Sequence, residues 1–275
     1  MNPVAQFFFR YTEAFWSSGT PEEQWRAILT AEDPSLRRFR SLFRYLPTDP
    51  RCNFCNAPFH GVGAPLMNFI GRTPSRMNPS FCGLCLETAP VGGAEIELTM
   101  LFADVRGSTS LAEGMGAAEF SDVIQRFFSA STRVLVKTNA LIDRLIGDEV
   151  IALFIPGFVG DAHATTALEA AESILAATGH ADSEGPWVPV GAGIHTGEAF
   201  VGKVGEQGVT DITVLGDAAN VTARLAGLAS KGEILLSESA HQAAGSPLHD
   251  FEERTLELKG RDEKMRAWSR TIQPI

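Results

Sequence analysis

The chain has 275 residues, of which 44% are hydrophobic, and its formal net charge is −10. This length has room for about two domains, and a hydrophobic fraction of this size is ordinary for a protein with a buried core, which excludes a disordered chain. Residues 1–94 carry a charge balance of +2 and residues 95–275 one of −12, so the larger part is a poor nucleic-acid surface and we expect no nucleic-acid partner.

The longest apolar stretches are Leu98–Val105 and Val150–Val159. Both are interrupted and are shorter than the roughly 18 to 20 residues that a membrane-spanning helix needs, so we expect no transmembrane segment. The N-terminus begins with three consecutive phenylalanines near Phe7 but has no basic leader and no small-residue cleavage site. We therefore expect no signal peptide and a cytoplasmic protein.

Residues 1–50 are predicted to form an N-terminal helical segment. Thr20 is a candidate N-cap, followed by Pro21 and by Glu23 three positions later, which predicts a helix that begins there. A second helix has one apolar and one basic side; the apolar side consists of Leu36, Phe39, Phe43 and Leu46, and the basic side of Arg37, Arg38, Arg40 and Arg44. It is predicted to pack between domains, with a partner or an anionic membrane surface as the open alternative.

Residues 51–90 are rich in Pro, Gly and Asn, lack apolar periodicity and contain all four cysteines of the chain. The cysteines form two C-x2-C pairs, Cys52 with Cys55 and Cys82 with Cys85. A segment of this size cannot easily fold without a crosslink. Paired cysteines at this spacing predict a tetrahedral metal site, with one structural Zn²⁺ favoured; an iron–sulfur cluster, reduced thiols and disulfides stay open. Residues 91–94 are predicted to be a linker.

From residue 95 to residue 275 the pattern alternates between strand and helix. The predicted elements are a strand at Ile96–Ala103, a helix with Phe120, Ile124 and Phe127 on one face, a hairpin of Ala140–Ile146 and Val150–Ile155, a helix at Ala162–Ala177, strands at Val188–Ile194, Ala199–Val204 and Asp211–Leu215, a helix at Ala218–Ala229 and two terminal strands. This order predicts an α+β fold with helices on a mainly antiparallel sheet.

Two aspartates occupy positions suited to metal-assisted phosphoryl chemistry. Asp104 follows an apolar strand and precedes a small-residue turn that is expected to open a helix, and Asp148 lies at the Gly147-Asp148 hairpin tip. Either residue alone is as readily a turn residue. If the first strand pairs beside the hairpin, both carboxylates lie at one end of the sheet and can share two Mg²⁺ ions that assist attack at phosphorus.

Four segments then occur in a distinctive order: FADVRGST (Phe102–Thr109), LIGDEV (Leu145–Val150), GIHTGE (Gly193–Glu198) and LGDAANVTARL (Leu215–Leu225). They resemble the successive motifs of class III adenylyl/guanylyl cyclases, at family-like spacing over residues 95–272. The resemblance implies a ferredoxin-like catalytic fold and a head-to-tail homodimer with shared active sites. It also implies conversion of ATP or GTP to a 3′,5′-cyclic monophosphate and pyrophosphate, with two Mg²⁺ (or Mn²⁺) ions per site.

The resemblance implies a role for each matching residue. Asp104, Asp148 and the Val105 carbonyl match the metal ligands, Asn220 the residue that orients the ribose and Arg224 the residue that stabilises the transition state. Gly107, Ser108 and Thr109 match the phosphate-binding turn, and Lys259 a contact to the terminal phosphates. Asn220 and Arg224 are four residues apart, which places both on one side of a helix.

Base selection is where the sequence departs from the resemblance. The position that is Lys in typical adenylyl cyclases and Glu in typical guanylyl cyclases is Arg144, and its partner position is Thr213. Arginine can donate to adenine or to guanine, and threonine can donate or accept. The absence of Glu favours ATP, with GTP as the alternative.

Two nearby polar residues are given structural roles. His195 is expected to be a packed, hydrogen-bonded imidazole rather than a catalytic base, and Asp217 a helix cap rather than a third metal ligand. Two other functions stay open for the chain. It is alternatively a non-catalytic cyclase-like domain that binds a nucleotide or a partner, or an interaction protein whose principal element is the cysteine segment.

Overall fold

The computed structural model of the chain describes residues 19–32, 50–75, 78, 80–206, 209–245, 250–257 and 264–274. The predicted helix at 36–46 and the predicted ligand Lys259 lie outside these ranges. Every helix within them is too short or too polar to cross a bilayer.

The predicted N-terminal helix is confirmed as α1, Pro21–Leu29. The Thr20 hydroxyl accepts from the Glu23 backbone N–H, and the Glu23 carboxylate accepts from the Thr20 N–H at 2.8 Å, which closes a capping box. The apolar face of the helix buries Trp25, Ile28 and Leu29. A helix of nine residues is only marginally stable by itself in water, so this packing is what stabilises α1.

The cysteine-containing segment, which we call the cysteine module (residues 50–90), consists of loops and short helices. They are a 3-10 turn at Gly61–Gly63, α2 at Ala64–Phe69 and α3 at Gly83–Thr88. Its apolar centre is aromatic: the rings of Phe54 and Phe81 lie 4.4 Å apart, and each contacts Phe158, which belongs to the larger part of the chain after residue 90. The module is therefore packed onto the rest of the protein.

Eight strands in the described ranges form one sheet, in the order β2-β3-β1-β4-β6-β8-β7, with β5 paired to the far half of β4. The strands are β1 (Gly92–Val105), β2 (Leu141–Ile146), β3 (Glu149–Phe154), β4 (Val190–Glu206), β5 (Val209–Leu215), β6 (Glu233–Ser237), β7 (Glu252–Glu257) and β8 (Lys264–Thr271). Of the described pairs, β4 with β6 is parallel and the others are antiparallel, as the sequence predicts.

Helices cover both faces of this sheet. They are α4 (Ser108–Gly114), α5 (Ala117–Lys137), α6 (Pro156–Val159), α7 (His163–Ala177), α8 (Asp217–Leu228) and α9 (Glu238–Ala244). Side chains alternate along β1, so Leu101 and Ala103 pack under α5, α7 and α9, whereas Leu98 and Met100 share a core with α8 and the cysteine module. The result is an α+β architecture, as expected.

Three details differ from the sequence predictions. Gly92 and Gly93, expected in a linker, begin β1 and pair with Lys203 and Gly202. The two strands expected at 188–194 and 199–204 are a single strand, β4, because β1 pairs with it along its length. Three described strands, β6, β7 and β8, and helix α9 follow α8, where two terminal strands and no further helix were expected.

Candidate active site

The predicted meeting of the two aspartates is found at one rim of the sheet. β1 pairs with β3 so that Asp104 lies opposite Glu149, the residue after Asp148. The Val105 N–H donates to the Asp148 carbonyl at 3.1 Å, which fixes the hairpin tip beside the end of β1. Gly147 makes the turn possible, since its φ of 62° is one that other residues rarely adopt.

This rim concentrates negative charge. Burial raises the pKa of Asp104, and the charge of Asp148 adds to that effect against the opposing influence of Arg106. Burial and the charges of Asp104 and Asp148 raise the pKa of Glu149 to about 7. Two carboxyl groups with raised pKa values beside a third carboxyl group are a suitable donor set for hard divalent cations, which would supply positive charge at this rim.

Arg106 is a member of this site that the sequence reasoning did not single out. Its guanidinium forms an ion pair with Asp104 and donates to the Gly227 carbonyl at the end of α8, at 3.0 Å. The side chain therefore ties the acidic rim to the helix that carries Asn220 and Arg224. Arg106 could be identified in the FADVRGST segment, but its contact with α8 could not be predicted because Gly227 is 121 residues away in sequence.

The predicted phosphate-binding turn directly follows the rim. Gly107 adopts a left-handed φ of 67° at the N-cap of α4, which begins at Ser108. Gly107 and Thr109 are exposed and Ser108 is half-buried. The expected opening of a helix after Asp104 is thus confirmed.

The two predicted base-selecting residues contact each other. Arg144 on β2 donates from Nη2 to the Thr213 hydroxyl on β5 at 3.2 Å, and its side chain is 48% exposed. Asp143, which the sequence reasoning missed, is 3% exposed and lies 3.7 Å from the Arg144 Nε. Burial raises the pKa of Asp143 to about 6, although hydrogen bonding from Thr213 and the charge of Arg144 oppose this shift.

Asn220 and Arg224 lie on α8, as predicted, with Asn220 exposed and Arg224 half-buried. Within the described residues, no hydrogen bond or ion pair joins either side chain to the two aspartates. The first turn of α8 packs at Gly197, which pairs with Leu98, six residues before Asp104. At about 3.3 Å per residue, this end of α8 is roughly 20 Å from the acidic rim.

The two residues given structural roles are also located. His195 lies in mid-strand, and its Nδ1 is 2.8 Å from the Ser237 hydroxyl, in agreement with a hydrogen-bonded structural imidazole. Asp217 is the first residue of α8 and Gly216 is its N-cap, so the expected cap is displaced by one position. A carboxylate there still faces the positive end of the helix dipole.

The four cysteines meet in the cysteine module. Their Sγ atoms all lie within 4.8 Å of one another, all four side chains are buried, and none forms a disulfide. Backbone N–H groups point at the sulfurs: Cys82 N donates to Cys52 Sγ at 3.2 Å, and Cys85 N to Cys82 Sγ at 3.4 Å. This arrangement can hold a metal ion.

Arg72 supplies a buried positive charge to the cluster. It is 0% exposed, and its Nη1 lies 3.5 Å from the Cys85 Sγ and 3.9 Å from the Cys82 Sγ. Burial opposes ionisation of Cys55, but hydrogen bonds from the other cysteines and the charge of Arg72 lower its pKa well below the usual range. Hydrogen bonds with Cys52 and Cys55, together with burial, raise the pKa of Cys82 and of Cys85 well above the usual range. The cluster therefore favours one thiolate, at Cys55, and a bound metal ion would favour loss of the remaining thiol protons.

Residues 94–269 match the model of the family described as the adenylate and guanylate cyclase catalytic domain. The chain is 31% identical over 221 residues to an adenylate cyclase of Anabaena cylindrica, which covers 74% of this chain and 43% of that protein. It is 27% identical to a terminal-differentiation-specific adenylate cyclase of Dictyostelium discoideum, over 62% of this chain and 8% of that protein. The chain thus spans less than half the length of these curated relatives.

Solved structures agree with the family match. The guanylyl cyclase Cya2 superposes with a TM-score of 0.60 at 28% identity, over 65% of this chain and 93% of that one. The adenylyl cyclase CyaB from P. aeruginosa shares the fold, with a TM-score of 0.55 at 24% identity over 64% and 94% of the two chains. From the extent of the family match and the shared fold, we conclude that this chain belongs to the adenylate and guanylate cyclase catalytic-domain family.

Proposed function

We propose that this protein is a nucleotidyl cyclase that converts ATP to 3′,5′-cyclic AMP and pyrophosphate, with GTP as the second-choice substrate, and that it serves cyclic-nucleotide signalling. The observation that carries the proposal is the meeting of Asp104 and Asp148 at one rim of the sheet. In the reaction, the ribose 3′ oxygen attacks the α-phosphorus, loses its proton, and the bond from that phosphorus to the pyrophosphate oxygen breaks.

The acidic rim fits a pair of Mg²⁺ or Mn²⁺ ions. Asp104, Asp148 and the Val105 carbonyl would hold them, and the metal ions would activate the 3′ hydroxyl and neutralise charge on the phosphates. The N–H groups of the turn at Gly107, Ser108 and Thr109 would bind phosphate oxygens. Asn220 would orient the ribose, Arg224 would stabilise the charge that develops on the transferred phosphoryl group, and Lys259 would bind the terminal phosphates.

The preference for ATP rests on the base-selecting pair. Arg144 would donate to the adenine ring and Thr213 would accept from the exocyclic amino group. The similarity to the Anabaena adenylate cyclase supports ATP, whereas the likeness to guanylyl cyclase Cya2 keeps GTP as the alternative.

We further propose a homodimer in which each active site draws on both chains. The start of α8 supports this arrangement, because it packs at Gly197, roughly 20 Å from the acidic rim along the sheet. Asn220 lies in the first turns of α8, nearer to that end than to the Gly227 end that Arg106 joins to the rim. A second chain in head-to-tail orientation would place its α8 against the rim.

We also propose that Cys52, Cys55, Cys82 and Cys85 hold one Zn²⁺ ion per chain. In a tetrahedral site with Zn–S bonds of about 2.3 Å, neighbouring sulfurs are roughly 3.8 Å apart. The Cys55 and Cys82 sulfurs are 3.9 Å apart, which favours a single ion over a larger iron–sulfur cluster. Such a closed site has no open position for substrate, so its role is structural.

Incubation of the purified protein with ATP and, separately, with GTP, in the presence of Mg²⁺ or Mn²⁺, tests the function. Chromatographic identification of the cyclic product and of pyrophosphate is the measurement. We expect cyclic AMP to form faster than cyclic GMP. Nucleotide binding without either product would instead indicate a non-catalytic, nucleotide-sensing member of the family.

A further inference from the structure

Strand β2 is the outermost strand on its side of the sheet, and the cysteine module covers its free edge. Three polar side chains of the module donate to backbone carbonyls just before and within the first part of β2, of which the Ile142 carbonyl lies in the strand itself. They are Asn53 to Asn139 at 3.1 Å, Ser80 to Ala140 at 3.2 Å and Asn78 to Ile142 at 2.7 Å. The module thus satisfies the Ile142 carbonyl at the strand edge and the two carbonyls that lead into the strand.

These donors belong to the two loops that carry the cysteines. Asn53 lies between Cys52 and Cys55, and its N–H donates to the Ser80 carbonyl at 2.8 Å. The Asn78 Oδ1 accepts from the Ser80 N–H at 3.0 Å, two residues before Cys82. The backbone positions of the two cysteine loops therefore determine where these three donors meet the edge of β2.

The shortest of the three contacts is made where β2 is irregular. The pairing of β2 with β3 passes from Ile142 to Arg144 and skips Asp143, which forms a bulge. A bulge changes the direction in which the following side chains point. Here the Asp143 side chain is buried, whereas the Arg144 side chain is half-exposed and reaches Thr213. Asn78 donates to the carbonyl of Ile142, the residue at which the bulge begins.

We propose that Asn78 is a positioning residue for base selection, which acts by fixing the β2 bulge and thereby aiming Arg144. The cysteine module then sets the purine preference of the enzyme as well as supporting the fold. This inference rests on the proposed cyclase activity and on the role of Arg144 in it. It goes beyond both, because Asn78 lies in a segment outside the matched cyclase domain.

The test compares two isosteric changes, Asn78→Asp and Asn53→Asp. Both residues are 6% exposed and both donate an amide N–H to a carbonyl at the β2 edge, but the Asn53 contact precedes the strand and is remote from the bulge. Asn78→Asp keeps the oxygen that accepts from Ser80 and removes the donor to Ile142. We expect kcat/KM for ATP to fall about five- to tenfold, mainly through KM, with a change in the ATP:GTP ratio. Asn53→Asp should leave that ratio unchanged.

A double-mutant cycle distinguishes positioning from general destabilisation. In the Arg144→Ala background, Asn78→Asp should have almost no further effect on the ATP:GTP ratio, since the side chain it positions is gone. The same effect of Asn78→Asp with and without Arg144, or an unchanged ratio in Asn78→Asp alone, would overturn the proposal.

If the wild-type protein forms no cyclic product, the proposed function fails, and hydrogen exchange decides separately whether the bulge is held by Asn78. Faster exchange at residues 142–145 in Asn78→Asp, but not in Asn53→Asp, would support the proposal that Asn78 fixes the β2 bulge. Equal exchange in the two variants and the wild type would refute it.

Discussion

At the scale of single residues, the acidic rim combines groups that repel each other in the absence of a cation. Asp104, Asp148 and Glu149 lie together because the β1–β3 register places a strand end beside a hairpin tip. The pKa values of Asp104 and Glu149 are raised even though Arg106 forms an ion pair with Asp104, so a bound cation would favour ionisation of these two carboxyl groups. A rim of this kind is costly for folding and useful for binding metal-bound phosphates.

Substitution of either aspartate should therefore reduce the catalytic rate without reducing the stability of the fold. We expect Asp104→Asn and Asp148→Asn each to lower the turnover rate more than tenfold, a barrier increase of at least ~1.4 kcal/mol, because each removes a metal ligand. The thermal midpoint should not fall, since the amide opens no cavity and removes one of the carboxylates that repel each other. Asp122→Asn, at an exposed position on α5, is the control and should retain full activity. Retention of more than about a tenth of the wild-type rate would contradict the two-metal assignment.

Asp143 predicts a pH dependence of stability. Burial raises its pKa from an ordinary 3.8 to about 6, so between about pH 4 and 6 the native state binds more protons than the unfolded chain. The free energy of unfolding should therefore fall as the pH rises through this range. Arg144 and Asp211 are the charged groups that also act on this carboxyl, with opposite signs.

Asp143→Asn should remove the part of that dependence that Asp143 causes, whereas the part due to Glu149, whose pKa is about 7, should remain. At pH 8 the variant is expected to be more stable than the wild type by about 1 kcal/mol, because no buried charge needs to be accommodated, and at pH 4 the two should be alike. Urea titrations at both pH values provide the measurement. A variant that is less stable than the wild type at pH 8 would show that the ion pair with Arg144 outweighs the cost of burial.

At the scale of elements, the sequence predicted those parts whose signals are local. The hairpin was visible because two apolar runs flank Gly147-Asp148, and α1 because Thr20 and Glu23 form a capping box. β4 was divided in two because His195, Thr196 and Glu198 interrupt its apolar pattern. The interruption is tolerated because β1 pairs with β4 from Val190 to Lys203 and Thr196 Oγ1 lies 2.7 Å from Thr99 Oγ1.

The cysteine cluster leads to a prediction about the module. We expect about one zinc per chain in protein purified without a chelator. Cys82→Ser should lower the zinc content and reduce the thermal midpoint by roughly 5–15 °C, since metal binding and folding of the loops are coupled. Thr88→Ala, a change in α3 that removes no sulfur ligand, serves as the control. Iron with acid-labile sulfide, or a metal-free protein of unchanged stability, would contradict the zinc assignment.

At the scale of the whole molecule, the proposed shared site requires two chains. Mutants Asp104→Ala and Arg224→Ala should each be inactive alone, because every site in each homodimer lacks one group. After subunit exchange in an equal mixture, half of the dimers are mixed and each mixed dimer has one intact site, so about a quarter of the wild-type activity should return. Continued inactivity, with exchange verified by differently labelled chains, would show that each site lies within one chain.

The position of the cysteine module against the sheet could not be predicted from the sequence. The catalytic motifs could be identified because each is a short contiguous segment. Contacts such as Asn78 to Ile142 and Phe81 to Phe158 join residues more than 60 positions apart, and no periodicity indicates them. Arg106 was missed as a link to α8 for the same reason.

The packing of this module also affects where the protein can be divided. One continuous core joins Trp25, Phe54 and Phe81 to Leu98 and Met100 on the sheet, and Lys203 of β4 donates to the Leu86 and Ala89 carbonyls at the end of α3. A protein truncated to the matched residues 94–269 would begin inside β1 and expose part of this apolar core to water. Low solubility or aggregation of such a fragment would then report a wrongly placed boundary, and its inactivity would say nothing about the chemistry of the intact chain.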